Sequence, residues 1–404
     1  MNRNDRSIVT LVMVAHSMVH TYELSIPILV GIWLSQFGVT AATMGVVVTA
    51  GYALFGLGAI PGGVLADAIG SRSLIVACLA GMSVSFLLLS ASPTLPVIAL
   101  ALLVWGASAS VYHPSGLSLI STGVRERGSA FAYHGIAGNL GIAFGPLATT
   151  VLLLFFDWRY VTAILAIPAA LAALFALQVN FDEKAAVEAT DGGESKADAG
   201  VSSLAEFVAE SKVLFAGAFV FVFGVVILSG LYYRGVLTFL PVVLSQFDLF
   251  QPVEVAGRTL EPYRYFYAGL LMVGVFGQYT GGKLTDRIPT EYGIAVAFAV
   301  LAVLALAFLP ASNAGLGAFL VVGGLLGFFL FVVQPLYQAT VAEYTPAGTR
   351  GLSYGYTYLG VFGVGSLGAT IAGGLLSVSA SALFLALAGF ATAAAGLGAY
   401  LSLR

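Results

Sequence analysis

The sequence predicts an all-α integral membrane protein of twelve transmembrane helices in two parallel six-helix bundles, and three observations carry that prediction. First, 59% of the 404 residues are hydrophobic and only 9% are charged, against roughly 25% charged residues in an ordinary soluble domain. Second, apolar stretches long enough to cross a hydrocarbon core of about 30 Å recur from one end of the chain to the other. In lipid each must be a helix, because its backbone has to satisfy its own hydrogen bonds. Third, landmarks of the first half return in the second in the same order. Leu34-Ser35-Gln36-Phe37 recurs as Leu244-Ser245-Gln246-Phe247, Gly63-x3-Asp67 as Gly282-x3-Asp286, Gly106-x7-Pro114 as Gly327-x7-Pro335, and Arg127-Gly128 as Arg350-Gly351. The offset drifts only from 210 to 223 residues, as loops of unequal length would produce.

Polar breaks and charges place the spans at 8–34, 43–66, 73–91, 95–122, 128–155, 159–180, 213–246, 264–283, 291–311, 315–342, 349–377 and 379–403. The first run is too long for a signal-peptide core and lacks a small-residue cleavage site, so it is kept as span 1. Residues 181–212 hold eight acidic and three basic residues with Gly192-Gly193, the composition of a solvated linker. That linker separates an N-terminal bundle, 1–180, from a C-terminal bundle, 213–404, and part of 202–212 reads as an amphipathic helix on the membrane surface. Lysine and arginine crowd the segments that share a side with the N-terminus, which predicts cytoplasmic termini in a plasma-membrane protein. The single cysteine, Cys78, lies in an apolar run and reads as packing. Parallel repeats about an axis along the membrane normal are an architecture of secondary transporters, with a substrate site near the midplane between the repeats.

The stretch from Gly63 to Arg72, Gly-Val-Leu-Ala-Asp-Ala-Ile-Gly-Ser-Arg, resembles the signature loop of the major facilitator superfamily, whose usual form is Gly-x3-Asp-Arg-x-Gly-Arg-Arg. Ala68 and Ser71 stand at two of its basic positions. The second copy, from Gly282 to Pro289, keeps Asp286 and Arg287 and lacks the later glycine. The resemblance implies a gating role for Gly63, Asp67, Gly70, Arg72, Arg127, Gly282, Asp286, Arg287 and Arg350 at the cytoplasmic helix ends. The glycines there are expected to let the backbone turn and neighbouring helices approach. The alternative is a loop that only orients the chain. Val111-Tyr112-His113-Pro114, the stretch from Gly138-Asn139 to Gly145-Pro146, His16, and the end of span 10 into span 11 are similar to the fosmidomycin-resistance-type drug exporters. Gly141-x3-Gly145-Pro146, with Ala132 before it, nearly fits a pattern associated with antiporters, although close helix packing explains those glycines equally well.

All four histidines, His16, His20, His113 and His134, fall inside spans of the first half. Ionisable groups in lipid are rare and usually face a cavity or a partner. His16, His113 and His134 lie roughly 9–14 Å from the inner helix ends at 1.5 Å per residue. His16, His20 and Glu23, spaced four and three apart, share one face of span 1. Satisfied core histidines are the plain reading, and substrate binding or proton coupling is the other. Arg234 is the basic residue deep in the second half, within about one turn of the depth of Glu23 by the repeat. It needs an anion, which predicts either a structural pair with Glu23 or a site for an anionic substrate. Gln334, which the repeat sets opposite His113, and Tyr337 add hydrogen-bonding capacity from span 10, and Asn139 adds it from span 5.

No metal-ligand spacing, phosphate loop, nucleophile or nucleic-acid patch stands out, so no enzyme, cofactor, metal or nucleic-acid partner is expected. The expectation is a carrier that works by alternating access, embedded in the lipid bilayer as a monomer and driven by protons or sodium, exporting a small, drug-like, anionic compound. Uptake of an organic anion or sugar is the second reading, and a non-transporting receptor on the same fold is the third.

Overall fold

The computed structural model describes residues 1–187, 204–346 and 349–404, with every side chain among them except those of Asp67, Leu204 and Arg350. Gly192-Gly193 lies outside these residues. Twelve spans follow one another among the described residues: span 1 is Arg3–Phe37, span 2 is Ala41–Leu57 continued by Ala59–Ile69, span 3 is Ser71–Ser90, and span 4 is Leu95–Ser110 continued by Tyr112–Gly123. Spans 5 and 6 are Arg127–Leu153 and Trp158–Gln178, and spans 7 to 10 are Phe219–Leu244, Pro262–Leu284, Thr290–Asn313 and Leu316–Glu343. Span 11 runs from Arg350 to Leu376, and span 12 is Ala380–Ser402. Eleven of them are long and apolar enough to cross a membrane. Span 8 has the length, at 23 residues, but Arg264, Gln278 and Lys283 lower its hydropathy.

Among the described residues three spans are interrupted, two of them at prolines. Spans 2 and 4 break at Gly58 and Val111, three residues before Pro61 and Pro114. A proline ring clashes with the carbonyl four residues earlier and offers no N–H to it, so the helix yields there. The two breaks meet, since a Cβ on Gly58 would lie 2.3 Å from Ser110 Oγ and one on Gly62 3.3 Å from Pro114 Cγ. Span 11 passes through a π-helical turn, Leu359–Gly363, and a 3-10 turn, Val364–Ser366, before resuming as Leu367–Leu376. Such turns relax the regular backbone register within a helix.

Two features differ from the sequence expectation. Span 7 starts at Phe219 rather than at 213, because residues up to Phe215 belong to a separate helix, Leu204–Phe215, and the chain turns through Gly217. The loop between spans 7 and 8 holds a two-stranded hairpin, Val253–Val255 (β1) against Arg258–Leu260 (β2), with Val253 opposite Leu260. Its two turn residues, Ala256 at φ 51° and Gly257 at φ 73°, both adopt left-handed backbone, the requirement of a tight I′ turn.

The chain forms two compact units, Met1–Leu29 with Ala50–Ala197 and Val30–Thr49 with Asp198–Arg404. Residues 30–49 thus come from the first repeat and pack in the second unit, where Thr49 Oγ1 donates to Ser366 O at 3.0 Å and Thr370 Oγ1 to Thr49 Oγ1 at 2.8 Å. Within the first unit span 3 packs on spans 4 and 6, and within the second span 9 packs on spans 10 and 12. The close helix contacts repeat as well. Cβ atoms added at Gly106 and Gly327 would lie 2.0 Å from Gly51 O and 2.3 Å from Leu270 O, so spans 2 and 4 meet backbone to backbone as spans 8 and 10 do. Spans 1 and 5 meet at Gly141 and Gly145, and spans 7 and 11 at Gly230, Gly365 and Gly368, the small-residue packing that lipid-embedded helices favour.

Candidate functional site

The four histidines gather in the first unit. Span 1 supplies His16 and His20 on one face, span 4 supplies His113 directly after its break, and span 5 supplies His134. The His16 ring stacks on His134 at 3.8 Å between centroids and stands edge-on to His113 at 5.3 Å. His20 lies 4.8 Å from His16 and 5.6 Å from His113 by the same measure. Gly138 makes the stack possible, because a Cβ there would sit 2.5 Å from His16 Cε1. Gly141 and Gly145, three and seven residues further on, bring span 5 against the backbone of Ser17 and Thr21. The glycines of the antiporter-like pattern thus have a packing role, and they say nothing about the direction of transport.

A hydrogen-bonded chain runs through the cluster. His16 Nδ1 is 2.7 Å from His134 O, the Nε2 atoms of His16 and His20 are 3.0 Å apart, and His20 Nδ1 is 2.5 Å from Glu23 Oε2. Glu23 is fully buried, with His16, His113 and His134 nearly so. Tyr52 Oη donates to Glu23 O at 2.8 Å and Tyr112 Oη to Val12 O at 2.5 Å, which ties spans 2 and 4 to span 1 on either side of the cluster. The sequence reading made neither tyrosine a site residue, although Tyr112 adjoins His113 and its ring stacks against His16 at 5.5 Å. His16, His20 and His113 each offer a ring nitrogen within 4.8 Å of the others, close enough to hold a metal ion. The span 1 pair draws its third member from span 4, so no local spacing in the sequence announces the group. Asn139 lies half-buried in span 5.

Arg234 lies buried in span 7 of the second unit, its guanidinium 5.3 Å from the Tyr233 ring and 5.6 Å from the ring of Phe362. Phe362 belongs to the π-helical turn and stacks with Tyr358 at 5.9 Å. The irregular turn of span 11 therefore carries an aromatic wall to the arginine, where cation–π attraction is worth most out of water. Tyr337 is buried and Gln334 half-buried in span 10 of the same unit.

The residues expected to act as gates divide. Arg72 is committed within the first unit: its Nε donates to Ala176 O at 2.9 Å and its Nη2 to Leu177 O at 2.5 Å, at the C-terminal end of span 6. Gly70 has φ 85°, a backbone that favours glycine, and Glu183 accepts from the N–H groups of Ser71 and Arg72 just after it. Arg127, Asp286 and Arg287 are exposed, and the side chains of Asp67 and Arg350 lie outside the described residues. Among the described residues an added Cβ at Gly63 or Gly282 meets nothing within 4 Å, so neither mediates the expected helix approach there. Their predecessors do: Cβ atoms at Gly62 and Gly281 would lie 3.3 Å from Pro114 Cγ and 2.5 Å from Val332 O. One step along a helix turns a residue by about 100°, so only one glycine of each pair can face the neighbouring span.

Residues 181–187, assigned to the linker by the sequence reading, are bound to one end of the first unit. Asn4 Oδ1 accepts from Asp182 N, Thr122 Oγ1 donates to Glu183 O, and Ala186 N donates to Thr122 O. Buried Asp5 accepts from the N–H groups of Arg125 and Glu126 alongside.

These helices, repeats and buried ionisable groups define a multi-pass integral membrane protein of the transporter class. The chain belongs to the Major Facilitator Superfamily, whose family model matches residues 9–369. It is 36% identical over 131 residues to a puromycin resistance protein of Streptomyces alboniger, a match covering 32% of this chain and 26% of that relative's length. Two of the solved structures it resembles share its fold at low identity. A bacterial homologue of the human lysosomal transporter Spinster, inward-facing and occupied, superposes with a TM-score of 0.75 at 15% identity, over 100% of this chain and 98% of that one. A POT family transporter in complex with a thioalcohol-conjugated peptide gives 0.72 at 12%, over 98% and 96%.

Proposed function

We propose that this transporter of the major facilitator type works by alternating access and exports a small, drug-like, anionic compound in exchange for protons. The chain from Glu23 through His20 to His16 carries the reading. Several ionisable groups placed together in lipid cost free energy that simple packing does not require, and imidazoles beside a carboxylate can exchange protons near neutral pH. The limited likeness to a puromycin resistance protein favours export; puromycin, an amine without an acidic group, probes the direction of transport, and organic anions probe the charge preference. Buried Arg234 favours an anionic group on the substrate, and it equally supports a second reading, uptake of an organic anion. The termini and the loops expected to gate are assigned to the cytoplasmic side.

The test is flux in proteoliposomes under an imposed pH gradient, with a panel of labelled compounds that starts from puromycin and includes organic anions. Accumulation on the side from which protons flow supports export by exchange. Accumulation on the opposite side supports uptake, and flux indifferent to the gradient removes proton coupling.

A further inference from the structure

Span 1 sets His16 and His20 four residues apart, one above the other on a single face. Their outer hydrogen bonds bear on where each ring carries its proton. A carbonyl oxygen only accepts, so His16 Nδ1, 2.7 Å from His134 O, is an N–H, and the Nε2 of the neutral ring is a lone pair. His20 Nδ1 lies 2.5 Å from Glu23 Oε2, and whenever it donates to that oxygen its own Nε2 in the neutral ring is a lone pair too. In that tautomer the two lone pairs face each other across 3.0 Å, and a cation between them turns the contact into an attractive one. A proton can fill that role, and so can a metal.

We propose that His16, His20 and His113 bind a divalent transition-metal ion of the zinc, cobalt or nickel kind, with Nε2 of His16 and of His20 as two of its ligands. Neutral imidazoles suit these metals. Two nitrogens at about 2.1 Å from one ion lie about 3.0–3.4 Å apart, depending on geometry, and the Nε2 pair already stands at 3.0 Å. The widest separation in the trio, no more than 4.8 Å, has to close by about 1.4 Å to reach a tetrahedral set. The outer bonds are those a metal centre uses: each span 1 histidine gives its other ring N–H to an oxygen, Glu23 in one case and a backbone carbonyl in the other, which orients the ring and strengthens the donor. Glu23 also supplies a negative charge toward the two positive charges of the ion. The edges of the site are Tyr112 and His134 beside His16, and Phe55 beside His113 at 5.7 Å. Three imidazoles leave a tetrahedral ion one further position, open to water or to a donor atom of a substrate.

The inference shares residues with the coupling site proposed above, but it rests on ring geometry within the first unit rather than on transport. The experiment titrates the purified full-length protein in detergent, free of any histidine tag, with Co2+ followed by its visible absorption. One Co2+ per chain is expected, displaced by Zn2+. His16→Gln, His20→Gln and His113→Gln should each weaken binding at least about a hundredfold, and Glu23→Gln, one bond removed, about tenfold. Because a variant can fail to fold, X-ray absorption on the loaded wild type counts the ligands directly, and three imidazoles are expected. Absence of saturable Co2+ binding, any other imidazole count, or a band undiminished in the three folded histidine variants overturns the proposal. A protein that binds Co2+ but shows no pH-driven flux keeps this site and loses the coupling reading, and one with pH-driven flux and no Co2+ binding does the reverse.

Discussion

Gly138→Ala changes no ionisable group and nonetheless acts at the centre of the histidine cluster. The added Cβ would lie 2.5 Å from Cε1, 2.8 Å from Nδ1 and 3.0 Å from Nε2 of His16. Ordinary contact begins near 3.4 Å, so the ring must retreat by about 0.9 Å or span 5 must move away. A retreat of that size carries the 2.7 Å bond to His134 O and the 3.0 Å contact with His20 past the range of a normal hydrogen bond. Two weakened hydrogen bonds cost about 1–3 kcal/mol together. Alanine's better helix propensity returns up to about 1 kcal/mol, for an expected net loss of about 0–3 kcal/mol. Gly135→Ala, one turn earlier on the same helix, meets nothing within 4 Å and should be neutral or stabilising. The assay compares both variants by thermal unfolding in detergent, by pH-driven flux and by counterflow, which needs alternating access but no proton. We expect Gly138→Ala to lose about tenfold or more of its pH-driven flux while counterflow survives, and Gly135→Ala to match the wild type. Wild-type pH dependence and unchanged thermal stability in Gly138→Ala would refute the assignment of coupling to this ring.

Further predictions test other parts of the reasoning. Glu23→Gln keeps shape and hydrogen bonding but cannot ionise, so pH-driven flux should collapse while substrate binding and counterflow persist, and retained dependence on the gradient moves the coupling site elsewhere. Gly281→Ala should lower stability by about 1–3 kcal/mol through overpacking on span 10, while Gly282→Ala, facing open space, should be neutral or gain up to about 1 kcal/mol; equal effects in a thermal-shift comparison would contradict the packing. Ala256→Gly relieves a left-handed backbone that costs an alanine about 1 kcal/mol or more, and hydrogen exchange should slow across β1 and β2 unless that turn is unstrained. Asp67→Asn tests the signature loop: impaired flux with normal ligand binding is expected, and wild-type flux would leave the loop a purely orienting role.

Much of the fold was legible because lipid leaves a helix few alternatives. Length, hydropathy and polar breaks located all twelve spans to within a few residues, apart from span 7, whose start was hidden by the apolar last turn of a helix that ends only three residues upstream. The interruptions were harder to read. Pro61 and Pro114 coincide with breaks, but Pro335, the repeat partner of Pro114, sits inside an unbroken span 10, so proline alone does not decide the matter. Nothing in Leu359-Gly360-Val361-Phe362-Gly363 dictates a π turn until Gly230 of span 7 is packed against it. At the site, the shared face of His16, His20 and Glu23 followed from helical spacing. The approach of His113 and His134 to that face did not, since it depends on where the spans meet. Gly62 and Gly281 were missed because the family-like motif directs attention to Gly63 and Gly282, and only the direction of a Cβ distinguishes such neighbours. The hairpin was missed because strands of three residues are too short to show a period.

The bonds that close one end of the first unit also bear on the order in which the protein is made. Asp5, Asn4, Thr122 and Arg72 bond here to partners between Ser118 and Ala186. Domains commonly fold in sequence as they emerge during synthesis. Every member of this closure is therefore available once span 6 and its short extension have been made, with the second repeat still untranslated. The extension acts as a clasp fastened from inside the first repeat, so that half of the molecule can hold its ends together while it waits in the bilayer for its partner.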